Sequence, residues 1–211
     1  MATRVPDSTR RMRKQPRQAR SRETVAVIVE AGAQVLARKG WSGFNTNDVA
    51  ATAGVSIGSI YQYFPNKLAL VEAIRLRHFD EVLSIFDAPS QENGGLESRV
   101  RRLIDGMIDC HHQPGLHRIL MSKVAGSGDE SADDRHFDLA YKERFADFVA
   151  STTGLIEVSS LELIASVVAS AVEGLVHEAV QRADDCQRRR YRDEIVRFLV
   201  SYLEQKIRSC S

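Results

Sequence analysis

At 211 residues, with 43% of them hydrophobic and 27% charged, the chain is long enough to bury one core or two small ones. The net charge of +1 is unevenly spread: residues 1–67 hold 11 Lys/Arg against 4 Asp/Glu, and residues 68–211 hold 18 against 24. A basic first third beside an acidic remainder points to a polyanionic partner for one part only, while a polar, arginine-rich start and the lack of an evident run of about 18 apolar residues argue against secretion and against a membrane span.

Residues 1–20 carry Arg4, Arg10, Arg11, Arg13, Lys14, Arg17 and Arg20 against the single acid Asp7, with Pro6 and Pro16 interrupting. They read as a solvated arm suited to a phosphate backbone or a minor groove. A first helix is predicted from Ser21 to Lys39, with Val25, Ile28, Val29, Gly32, Val35 and Leu36 on one stripe and Gly40 as its stop. Trp41 and Phe44 follow as anchors for the next element. Residues 45–67, NTNDVAATAGVSIGSIYQYFPNK, then describe two short helices joined by a tight turn. Asn45 caps the first, with Asp48 reaching back three residues later; Thr46, Val49, Ala50 and Ala53 face inward; Gly54 makes the turn. Ser56 starts the second helix, Ile60 and Phe64 are its buried residues, and Pro65 ends it. Two helices so joined form a helix-turn-helix, whose second helix can enter a DNA major groove. The face it leaves free holds Ser56, Ile57, Ser59, Gln62 and Tyr63, with Tyr61 at the edge. Hydroxyls and an amide suit phosphates and base edges, an exposed isoleucine suits a thymine methyl, and Gly58 lets the backbone come close. Lys67 is placed to meet a phosphate.

Gly40, the string AGVSIGSIYQYFPNK and Leu70 together resemble the DNA-binding signature of the TetR (tetracycline-repressor-like) family of bacterial regulators, over about residues 20–75. The resemblance implies DNA contacts at Thr46, Asn47, Ile57, Gly58, Ser59, Tyr61, Gln62, Tyr63 and Lys67, to which the free-face reading adds Ser56. It also implies an all-α chain with a basic arm (1–20), a three-helix DNA-binding domain (21–67) and a C-terminal ligand-binding and dimerisation domain (68–211).

Beyond Pro65, Asn66 caps a fourth helix that ends around Asp87 and joins the motif to the rest. Residues 88–95 are a loop. A fifth helix places Leu96, Val100, Leu103, Ile104, Met107, Ile108 and His111 on one face and stops before Pro114. Leu116, Ile119, Leu120 and Val124 form a short sixth helix, 125–134 a small, acidic loop, and a seventh helix with Phe137, Leu139, Tyr141, Phe145, Phe148 and Val149 ends at Gly154. Residues 159–182 are apolar on more than one face, with Ala165, Ala169 and Gly174 allowing close approach. The last helix, 188–207, sets Tyr191, Ile195, Phe198, Leu199 and Tyr202 on a stripe.

In the family resembled, the last two helices pair with their copies in a second subunit, so the resemblance implies a homodimer through 159–182 and 188–207 and a palindromic double-stranded DNA operator. It further implies a cavity for a small-molecule effector, with Phe86, Met107, His111, Leu120, Met121, Tyr141, Phe145, Ser170 and Glu173 as candidate lining. Their chemistry suits a mostly apolar ligand with one polar or cationic group facing Glu173. Each of these side chains has ordinary core packing as its simpler reading, and Glu173 with His177 also reads as a polar pair at the subunit contact.

No phosphate loop, nucleophile elbow or HExxH motif appears, and no cofactor or resident metal is expected. Cys110, Cys186 and Cys210 lack CxxC spacing and read as free thiols of a cytoplasmic protein. The expectation is a DNA-binding regulator, most simply a dimeric repressor released by ligand. The alternatives are a ligand-independent activator or architectural protein, and a metal sensor built on the His111–His117 region, where Asp109 and His112 stand at helical ligand spacing.

Overall fold

The computed structural model describes Met12 and residues 19–87, 94–111, 113–121, 132–154, 158–182 and 184–209. The rest of the arm, Val124, His112 and Cys210 lie outside the described residues. Within them every regular element is a helix: α1 (Ala19–Gly43), α2 (Thr46–Ala53), α3 (Ile57–Tyr63), α4 (Lys67–Asp87), α5 (Leu96–Cys110), α6 (Pro114–Met121), α7 (Ala132–Thr153), α8 (Val158–Val180) and α9 (Asp185–Ser209).

The chain forms two compact units. The first comprises residues 1–78 and 115–130, the second residues 79–114 and 131–211. This differs from the division expected at residue 67. The first unit takes in the start of α4, up to His78, because Ala69, Leu70, Val71 and Ile74 belong to the same buried cluster as Ile28, Leu36, Val49, Ile60 and Phe64. It also takes in most of α6, whose Leu120 is 4% exposed in that cluster, with Leu116 and Ile119 packed against it. His117 Nδ1 lies 2.9 Å from His78 Nε2, a hydrogen bond between residues 39 apart in sequence.

In the first unit α1 crosses α4 closely. A methyl group at Gly32 would come within 2.9 Å of Ile74 Cδ1, so the small residue sets the approach of the two helices. Gly40 has φ 66°, a left-handed break that interrupts the helical path before the turn Trp41–Gly43, in keeping with its reading as a stop. In the second unit the core joins Val82 of α4 to α5, α7, α8 and α9, with Phe145, Ile104 and Leu203 fully buried. Aromatic rings line the α4–α7 seam: Phe79 stacks on Phe137 at 3.9 Å between centroids, and Phe86 meets Phe145 edge-on at 4.9 Å. Arg101 Nη1 donates to Asp193 Oδ1 at 2.8 Å, tying α5 to α9.

Three boundaries move outward from those predicted. Ala132–Asp134, read as loop, are the first turn of α7, where Asp133 and Asp134 meet the positive end of the helix. α9 begins at Asp185 rather than 188 because Asp184 accepts the Cys186 N–H at 2.9 Å. α1 starts at Ala19, two residues early. The α8 helix ends at Val180, short of 182.

One expectation on composition fails. The span Ser160–Val180 is long and apolar enough, by length and composition, to cross a membrane. Its apolar character has a packing cause: Ile164, Ala165, Val168, Ala169, Val172, Val176 and Ala179 fill the core of the second unit, while Glu162, Glu173 and Glu178 on the same helix are exposed. That is the pattern of a core helix.

Candidate nucleic-acid interface

The motif is fixed by caps that the sequence itself supplies. Asn45 is extended and its Oδ1 accepts the Asp48 N–H at 2.9 Å, starting α2. The Asp48 carboxylate in turn accepts from Asn45 Nδ2 and from Lys39 Nζ, both at 2.5 Å, so the box closes through the side-chain amide and reaches α1. The Lys39 ammonium first, and the Asn45 amide after it, hold the Asp48 carboxyl below the usual carboxylate range. At the other end Gly54 has φ 66°, the Val55 N–H reaches Ala50 O at 3.1 Å and the Gly54 N–H reaches Ala51 O at 3.4 Å. These are the two bonds of a Schellman turn, which needs its left-handed residue. Ser56 then caps α3 by accepting the Ser59 N–H at 3.1 Å, and Phe64, before Pro65, is extended and ends it. Asn66 starts α4 by accepting the Ala69 N–H at 2.9 Å.

With both ends fixed, α3 presents one face. Ser56, Ile57, Gly58, Tyr61 and Gln62 are exposed and Ser59 is half-buried; Ile57 is 38% and Tyr61 44% exposed, side by side on one face of a seven-residue helix. A methyl group at Gly58 would meet only Ser56 Oγ at 3.7 Å, so nothing among the described residues demands a glycine there. Thr46 Oγ1 lies 3.1 Å from Tyr61 OH, joining the start of α2 to the edge of α3, and Asn47 is exposed beside it. Lys67 is exposed, with Nζ 4.4 Å from the centroid of the Trp41 ring.

Tyr63 is the exception. Read as part of the free face, it is 7% exposed and packs in the core of the first unit. It follows Ile60 by three residues and adjoins Phe64, so the helical period turns it inward with them. Trp41 is half-buried against the same core, as expected of an anchor, but its ring face is also taken up by Lys67.

The residues read as ligand-lining separate into groups. Phe86, Tyr141 and Phe145 come together with centroids 4.9–6.3 Å apart. Met107 is 1% exposed, and His111 donates from Nδ1 to its carbonyl at 2.6 Å while meeting the His177 ring edge-on at 5.3 Å. Burial first, then the neighbouring His177, lowers the His111 pKa below that of free histidine. Burial likewise lowers His177, opposed by Glu173, and raises the Tyr141 phenol. Leu120, by contrast, packs in the first unit, and Ser170 and Glu173 are exposed on α8. Both depart from the expected cavity wall: α6 is anchored by its leucines, and positions 170 and 173 fall on the outward side of α8. The Met121 side chain is outside the described residues. A cleft of about 440 Å³ in the second unit is bordered instead by Asp105, Asp109, Asp185, Arg188, Arg189 and Arg192, none of them among the predicted lining. Cys110, half-buried, has its thiol pushed up to about 12 by burial and then by Glu81, which makes it a poor nucleophile at neutral pH.

Two family models match the chain, one on each side of residues 75–94. Residues 28–74 match the model of bacterial regulatory proteins of the tetR family, and residues 95–203 match the tetracyclin repressor-like C-terminal domain. The chain belongs to the TetR family. It is a DNA-binding transcriptional regulator of that family, all-α, with the helix-turn-helix in its N-terminal part. Among curated relatives it is 24% identical over 173 residues to the HTH-type transcriptional regulator SrpR of Pseudomonas putida, covering 79% of each chain. It is 36% identical over 66 residues, 31% of this chain and 35% of the relative, to the HTH-type regulator YvkB of Bacillus subtilis. A TetR-family regulator from Streptomyces coelicolor shares the fold with a TM-score of 0.70 at 20% identity, over 90% of this chain and 84% of that one. The fatty acid degradation regulator FadR of Bacillus halodurans does so at 0.67 and 14% identity, over 89% and 97%.

Proposed function

We propose that this TetR-family regulator is a homodimeric repressor that holds a palindromic operator through α3 and leaves it when a small, mostly apolar molecule binds the second unit. The observation that carries the DNA reading is the outward face of α3, where Ile57 and Tyr61 stand exposed among Ser56, Gly58 and Gln62 on a helix capped at both ends. In this reading Thr46, Asn47, Ser56, Ile57, Gly58, Ser59, Tyr61 and Gln62 meet bases and backbone, and Lys67 meets a phosphate. Tyr63 supports α3 from behind.

The dimer reading is supported by Leu163, Val167 and Phe198, exposed at 66%, 44% and 54% on the helices that the family uses for pairing. Ser166, Ser170 and Gly174 extend the exposed face of α8 with small side chains that permit close approach of a second helix. The effector reading is supported by the matched C-terminal domain and by the aromatic group Phe86, Tyr141 and Phe145. A coupling of about 1–3 kcal/mol between effector and DNA changes operator affinity about 5- to 150-fold, enough to relieve repression.

Selection of genomic fragments with the purified protein, repeated over a series of salt concentrations, tests the reading. A palindromic consensus with two half-sites about one helical turn apart is the expected result. Binding without consensus, lost uniformly as salt rises, refutes it.

A further inference from the structure

Two lysines flank the motif and are held in opposite ways. Lys39 Nζ lies 2.5 Å from the Asp48 carboxylate, so its charge is cancelled locally. Lys67, the first residue of α4, makes no ion pair among the described residues, and its ammonium sits 4.4 Å from the centre of the Trp41 ring. An indole face attracts a cation through its quadrupole without bringing a compensating charge. The seat therefore fixes the ammonium and leaves its full charge, and the N–H bonds turned away from the ring, for an anion outside.

Both partners are anchored. Trp41 is half-buried against the core of the first unit, in the short turn after the Gly40 break, and its carbonyl accepts the Phe44 N–H at 3.3 Å. Lys67 follows directly on Asn66, whose side chain caps α4. An unrestrained lysine stem has four torsions to order on meeting a phosphate, and ordering them opposes binding. A ring that already holds the ammonium removes part of that cost.

We propose that Trp41 is a positioning residue for DNA binding: it pre-places the uncancelled charge of Lys67 for a backbone phosphate, as an ion-paired lysine would not. The proposal rests on the DNA-binding reading of the motif.

The test measures the affinity of full-length protein for its selected operator, by anisotropy of labelled duplex across salt, for wild type, W41F, W41L, K67A and the double variant W41L/K67A. W41F keeps an aromatic face and is expected within about twofold of wild type. W41L is expected to bind about 2- to 5-fold more weakly per site, the size of an exposed cation–π contact. K67A is expected to weaken binding and to flatten the salt slope by about 0.9 per site. The double variant should match K67A, since the ring acts only through the lysine. A W41L protein that binds as well as wild type or better, or whose loss adds fully to that of K67A, overturns the proposal while leaving the DNA reading intact. A wild type with no sequence preference overturns both. Should W41L melt below the assay temperature, K67Q carries the test through emission, because Trp41 is the only tryptophan of the chain. Its emission in the free protein should change when the cation leaves the ring, and unchanged emission overturns the seat.

Discussion

On α3 the exposed apolar side chains are Ile57 and Tyr61, set among Ser56, Gly58 and Gln62; on α8 they are Leu163 and Val167, set among Ser166, Ser170 and Gly174. The first surface mixes hydroxyls, an amide and single apolar groups on seven residues held by caps at both ends. The second is a stripe of apolar and small residues along a helix of 23, held by burial of its other side against α5, α7 and α9. A polar face with isolated apolar points suits a ligand that is itself polar and patterned, such as a DNA groove, whereas a continuous apolar and small stripe suits another helix. The difference also lies in what positions each surface: short-range hydrogen bonds in one case, long-range packing in the other.

If packing positions the second surface, a large dependence is expected on Phe145, fully buried in the core of the second unit against Phe86 of α4 and Tyr141 of its own helix. Phe145→Ala is expected to cost about 3–5 kcal/mol in urea unfolding. If caps position the first, Asn45→Ala should cost less, about 0.5–2 kcal/mol, yet weaken operator binding, because it frees both the α2 N-terminus and a partner of Asp48. Equal effects of the two variants on operator affinity at matched stability would erase the contrast.

The caps are also what the sequence announces best. Asn45, Ser56 and Asn66 as starts, Gly54 and Pro65 as stops, are all decided within five residues of the bond they make, and the helix-turn-helix was legible from them. Tyr63 was misplaced although the signal was present: it stands three residues after Ile60, on the buried face, and its hydroxyl drew it to the polar side of the reading. Other features had no local signal. The His78–His117 bond and the inclusion of Leu120 in the first unit depend on how the chain returns after α5, and the Trp41–Lys67 seat joins residues 26 apart. The outward side of α8 was hidden for a different reason. A helix apolar nearly all round does not show, by composition, which side the chain's own core uses, and Ser170 and Glu173, given as cavity lining by the family resemblance, lie on its exposed side.

A smaller effect separates the buried sides. His111 and His177 titrate below the free histidine value in the folded state, chiefly through burial. The unfolded chain then takes up protons first, so stability should be level above about pH 7 and fall as pH drops below about 6.5 through the folded pKa. Urea midpoints at pH 7.5 and 5.5 read this, and His111→Gln should reduce the fall. The smallest effect on folding is expected outside: Leu163→Ser with Phe198→Ser should leave the stability of one chain within about 0.5 kcal/mol. It should nonetheless turn a dimer into a monomer in sedimentation, and an unchanged oligomer would mean the α8 stripe is not the pairing face.

The α4 helix runs unbroken from Lys67 to Asp87 with no glycine or proline between. At about 1.5 Å per residue that is a rod of about 30 Å whose hydrogen-bond ladder has no weak rung. Its first turns carry Ala69, Leu70, Val71 and Ile74 into the buried cluster of the first unit. The lysine that opens the helix is therefore set by packing along the helix as well as by the Asn66 cap, so a cavity made at Leu70 should loosen a charge that lies one turn away on the surface.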